Sequence, residues 1–80
     1  MKLYVTMTDK FMSGWGKAEG KTNKYIIECD SWEQAETVER NAQNRPEMKY
    51  INIRATKPYY SPDNYFVSWY TKENARAWYA

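Results

Sequence analysis

The chain has no histidine and only one cysteine, Cys29. Without imidazole, the usual zinc ligand sets, the usual base of a nucleophilic triad and the side chain that titrates near neutrality are all missing. A lone thiol cannot form an intramolecular disulfide. Cys29 also stands in the apolar alternation of a strand, where a buried, inert role is expected. No pair of carboxylates has a spacing suited to acid–base work. The expectation is a non-enzyme with no catalytic residue, metal or cofactor. Apolar runs are short: nothing approaches a membrane span and the N-terminus lacks a signal core, so a cytoplasmic protein is expected.

Glycine is scarce and confined. All three glycines, Gly14, Gly16 and Gly20, fall in the run from Lys10 to Lys24. The same run holds Lys10, Lys17, Lys21 and Lys24 against the single acid Glu19, with Trp15 between two glycines. Glycine lets other groups approach the backbone closely, and ammonium groups favour anions. The run therefore suits a basic loop that grips phosphate, with Trp15 at its tip. The alternative is a solvated hairpin loop whose tryptophan folds back onto the core. A nucleotide-triphosphate loop is excluded by spacing. Three residues lie between Gly16 and Gly20-Lys21-Thr22, and five between Gly14 and it, where that motif needs four and must then open a helix.

Eighty residues make one domain, near the lower limit at which a core is self-sufficient. The net charge of +2 argues against a protein that mimics DNA through acidity. Aromatic residues are in surplus, with four Trp, eight Tyr and two Phe. Their area and polar handles suit a binding surface, or else a core filled with rings in place of Leu, Ile and Val.

Residues 2–8 alternate, with Leu3, Val5 and Met7 on one face, and 24–29 form a second strand. Asp30 with Glu33, or Ser31 with Gln34, has capping-box spacing for a helix from Trp32 to about Gln43 or Asn44. Its apolar stripe is Trp32, Ala35, Val38 and Ala42, and Pro46 stops it. A third strand spans 49–56, turn chemistry fills 57–64, and a fourth strand spans 65–70 with Val67 and Trp69 inward. Thr71 caps a short helix from Lys72 to about Trp78.

The order ββαββ plus a short C-terminal helix predicts an α+β fold. It has two layers, one main helix on a four-stranded antiparallel sheet in the order 2-1-3-4. The face away from the helix would carry Tyr4, Tyr50, Arg54, Phe66 and Tyr70, a platform for stacking bases beside the lysine loop. The alternative is that the Tyr59–Tyr60 loop, the terminal Trp78-Tyr79 or a second subunit covers this face. The candidate ligand-binding set is therefore Lys10, Trp15, Lys17, Lys21, Lys24, Tyr4, Tyr50, Arg54, Phe66 and Tyr70. The expected partner is a nucleic acid or nucleotide, or alternatively a host protein held by the same aromatic surface. Such a face, if bare, would also pair two copies as a homodimer.

The segment Asp9-Lys10-Phe11-Met12-Ser13-Gly14-Trp15-Gly16-Lys17-Ala18 to Gly20-Lys21-Thr22-Asn23-Lys24, with Met48-Lys49-Tyr50-Ile51-Asn52-Ile53 downstream, resembles small bacteriophage-encoded proteins. The resemblance transfers no catalytic or ligand residue. It implies a setting, the cytosol of a host cell, in which small single-domain proteins bind nucleic acid or block host proteins, defence complexes included.

Overall fold

The computed structural model describes residues 2–9 and 21–80 of the chain. Lys10, Trp15 and Lys17 therefore lie outside the described residues. The elements run β1 (Leu3–Asp9), β2 (Thr22–Cys29), α1 (Trp32–Gln43), β3 (Met48–Arg54), β4 (Tyr65–Tyr70) and a terminal 3-10 helix (Arg76–Tyr79). The architecture is α+β: α1 packs on one face of a four-stranded sheet. No helix among the described residues is long and apolar enough to cross a membrane.

Local chemistry sets the helix bounds. Ser31 is the N-cap, and its Oγ accepts from Gln34 N–H at 3.2 Å. Gln34 Oε1 reaches back to accept from Asp30 N–H at 2.7 Å, so two backbone donors are satisfied at the helix start. Ala35, Val38 and Ala42 are fully buried against Leu3, Val5, Met7, Ile27 and Cys29. The two small side chains let the helix lie close to the sheet. Trp32 does not join them. Although it fits the stripe by spacing, it starts the helix and stays 54% exposed.

The sheet departs from expectation in its order and its directions. The order is β3-β1-β2-β4, in place of 2-1-3-4. β1 is antiparallel to both β2 and β3, but β4 pairs parallel to β2, so the sheet is mixed. The crossovers explain how this is reached. α1 carries the chain over one face from β2 to β3, and residues 55–64 return it beneath the other face to β4. Both crossovers wind in the same sense, as one rule of handedness requires.

That return segment covers the second face. Pro58 is buried, Lys57 Nζ lies 5.2 Å from the Trp69 ring centre, and Lys24 Nζ lies 5.2 Å from that of Tyr60. Beneath it Thr6 and Ile26 are only 3% and 2% exposed. The two central strands are thus buried on both faces.

The register assigns the faces. In-register partners share a face, so Asn23, Tyr25 and Ile27 look toward α1 together with Phe66, Ser68 and Tyr70. Tyr65, Val67 and Trp69 look away. This is the reverse of the assignment from the sequence, and the parallel pairing to β2 is its cause. In β3 the ladder shifts between Thr8↔Lys49 and Thr6↔Asn52, an extra residue that forms a bulge. Tyr50 occupies it with φ 55°, in the left-handed region.

The C-terminus forms less helix than expected. Residues 71–75 make turns closed by Ala75 N–H to Thr71 O at 3.0 Å, and only Arg76–Tyr79 is helical. Trp78 anchors it, buried edge-on to Tyr25 at 6.4 Å with the Arg45 guanidinium 4.1 Å from its ring centre. Asn41 Nδ2 on α1 donates to the carbonyls of Trp78 and Ala80, each at 3.0 Å.

Candidate nucleic-acid interface

The end of the sheet where β1 ends and β2 begins gathers several cations and rings. Lys24 on β2 and Lys49 on β3 both register with Thr8 on β1, so they flank the central strand on the face away from α1. Lys49 Nζ lies 5.1 Å from the Tyr50 ring centre and Lys24 Nζ 6.0 Å from it. Lys24 also meets Tyr60, whose ring is tilted on Tyr65 at 5.3 Å. Lys21 stands just before β2 at the same end.

The bulge gives Tyr50 its setting. Its ring remains 67% exposed, and its carbonyl accepts from Asn52 Nδ2 at 3.1 Å. A tyrosine at positive φ costs on the order of 1 kcal/mol relative to ordinary strand geometry. Tyr59 is also open, at 82% exposure, on the return segment. Rings with one free face and ammonium groups at their margins suit a stacked base with phosphate nearby.

The opposite end of the same face is closed. Tyr4 packs edge-on to Trp69 at 5.9 Å and Lys57 covers that indole. Trp69 Nε1–H donates to the Glu28 carboxylate, which also faces Lys2 Nζ at 3.5 Å. Arg54 is exposed opposite Tyr4, at this end and not with the lysines. A polar recess of about 80 Å³ adjoins it, lined by Lys2, Glu28, Asp30, Thr71, Lys72 and Glu73. Its charges answer one another: Lys2 Nζ lies 2.8 Å from Asp30 Oδ1, which raises the lysine's pKa and lowers the carboxyl's.

Of the candidates read from the sequence, Lys24 and Tyr50 come together, and Lys21 stands just before β2 at the same end. Tyr4 and Arg54 belong to the closed end. Phe66 and Tyr70 are corrected. They share the α1 face, where Tyr70 meets Tyr25 edge-on at 5.2 Å, because β4 pairs with β2. A single bare platform of Tyr50, Phe66 and Tyr70 does not exist, so the sheet-face homodimer loses its surface. Lys49 and Tyr60 were missed. The bulge brings Lys49 round, and the crossing segment brings Tyr60, and neither has a local signature.

Three further titratable groups are perturbed within the packing. Burial raises Tyr25, with Tyr70 and Asp9 adding to the effect. Its hydroxyl donates to Asp9 Oδ2 at 3.1 Å. Burial likewise raises Tyr79, whose hydroxyl donates to Glu28 O, and pushes the Cys29 thiol up to about 11. Among the described residues no group of three His, Cys, Asp or Glu is placed to hold a metal ion.

Comparison of the chain with family models, with curated proteins and with solved structures gave no match.

Proposed function

We propose that the protein is a non-enzymatic module that binds single-stranded nucleic acid at the Lys24–Lys49–Tyr50–Tyr60 cluster and acts in the cytosol. One observation carries this reading: Tyr50 holds an exposed ring between two lysines on a left-handed bulge, where its backbone would favour glycine. The core gains little from that ring. A base stacked on it would gain on the order of 1–3 kcal/mol. The phage setting implied by the glycine–tryptophan segment agrees with such a role.

The test separates ring from charge. Binding of a labelled oligonucleotide is followed by fluorescence anisotropy as salt is raised. Lys24→Gln should reduce the slope of log K against log salt by about 0.7, one phosphate contact on a single strand. Tyr50→Gly should lower affinity by roughly 10- to 100-fold with the slope unchanged. The same change should leave the melting temperature equal or higher, since glycine relieves the positive φ. Absence of saturable binding at low salt, or full affinity in Tyr50→Gly, would overturn the proposal.

A second reading, a protein-directed inhibitor or adaptor, is favoured by Trp32. This indole is exposed at the start of a helix whose outer face carries Glu33 and Glu36. Tryptophan is the residue most often found at the energetic centre of interfaces. Capture of one host protein from nuclease-treated lysate, lost in Trp32→Ala, would support that reading over the first.

A further inference from the structure

The two edges of the sheet are built differently. The outer edge of β3 is interrupted by the bulge and by the left-handed Tyr50, and it carries Lys49 and Arg54. Charges and bulges of this kind block the addition of a further strand. The outer edge of β4 has no such block. Its sequence, Tyr-Phe-Val-Ser-Trp-Tyr, contains no charge, proline or glycine, and its register with β2 runs unbroken from Tyr65 to Tyr70. β4 is the last strand of the sheet and, among the described strands, β2 is its ladder partner.

We propose that two copies of the chain join antiparallel through the outer edges of β4, about a twofold axis at Val67, into one continuous sheet. The backbone shows why the pairing would be self-complementary. Thr22 N–H donates to Asn64 O at 3.0 Å, so in the alternation of a parallel ladder Asn64, Phe66, Ser68 and Tyr70 point their groups at β2. Tyr65, Val67 and Trp69 then point theirs at the edge. The groups at the ends of that row are already engaged within the chain. Tyr65 N–H donates to Ser61 O at 2.9 Å, and Trp69 O accepts from Asn74 Nδ2 at 3.5 Å.

What remains at the edge is Val67 N–H, Val67 C=O, Trp69 N–H and Tyr65 C=O. This set maps onto itself through a twofold at Val67. Val67 exchanges both bonds with Val67 of the second copy, and Trp69 N–H meets the second copy's Tyr65 C=O in both directions. The engaged groups, Tyr65 N–H and Trp69 C=O, are those that would face each other at the ends of the pairing. The interface closes on itself, because the β3 edge cannot repeat it. It does not rest on the nucleic-acid reading: the pairing uses backbone groups at the outer edge of β4, whereas Lys24, Lys49, Tyr50 and Tyr60 are side chains on the face of the sheet.

Sedimentation equilibrium of the full chain over a roughly hundredfold concentration range, without nucleic acid, should show a monomer–dimer equilibrium and no larger species. Amide exchange should place the contact. Val67 and Trp69 N–H should be slowed at least tenfold on passing from dilute to concentrated protein, whereas Tyr65 N–H should be protected in both. Val67→Lys sets like charges across the axis and should leave a monomer with the wild-type circular dichroism spectrum. Should that variant fail to fold, the concentration dependence of the wild-type Val67 and Trp69 amides decides alone. A monomer at every concentration, indefinite association, or a dimer with both amides unprotected would overturn the proposal.

Discussion

Ile26 tests whether the sheet is buried on both faces. It lies on the face away from α1, registered with Thr6 on one side and Trp69 on the other, and is 2% exposed. Its neighbour Ile27 lies under α1 with no exposed surface. Truncating either isoleucine to alanine removes three carbon groups, worth about 0.8 kcal/mol each by transfer, or roughly 2.4 kcal/mol. The partly collapsed cavity adds to this, so about 3 kcal/mol is expected at a fully buried site. If residues 55–64 cover the second face, Ile26→Ala and Ile27→Ala should cost the same within about 1 kcal/mol. On an open platform Ile26→Ala would cost well under 1 kcal/mol, because the side chain would already touch water. Urea unfolding of both variants, read by circular dichroism, gives the comparison. A domain of this size has a total stability of roughly 4–12 kcal/mol, so both should remain folded in the cold. A cost below about 1 kcal/mol for Ile26→Ala beside about 3 for Ile27→Ala would refute the covered face.

The helix cap gives a smaller effect. Ser31→Ala removes the acceptor for Gln34 N–H and should cost about 1 kcal/mol, seen as a fall of roughly 4–8 °C in melting temperature. Alkaline pH should destabilise the fold. The Cys29 thiol ionises near 9.0 when exposed but at about 11 when folded, so its contribution is complete below pH 9 and disappears between about 9 and 11. The half-buried Tyr25 and Tyr79 hydroxyls act in the same direction at higher pH. Cys29→Ala should flatten the part of the loss that begins near pH 9, by about 2 kcal/mol, and pH-dependent denaturation of both proteins checks it.

The elements that follow from local chemistry were legible in the sequence. Alternation in Leu3, Val5 and Met7 marked the central strand and its inner face. The Ser31–Gln34 spacing marked the helix start, and the buried positions Ala35, Val38 and Ala42 followed from the helical period. The α+β class followed from the order of elements. In the candidate cluster, Lys24 and Tyr50 could be named because charge and ring type are visible in any conformation.

Tertiary structure decided the rest. A strand's period of two says that residues 65, 67 and 69 share a face, but not which face. β4 is apolar on both sides, so only its partner strand could settle that, and its parallel pairing with β2 turned Phe66 and Tyr70 toward the helix. The return segment 55–64 buried Ile26 and brought Tyr60 to Lys24, contacts between residues distant in the chain. The bulge at Tyr50 arose because β3 carries one more residue than the stretch of β1 it faces. Periodicity and capping act over a few residues and leave a local imprint. Strand partners, crossovers and bulges are selected by burial across the whole chain, and no short stretch of sequence records that choice.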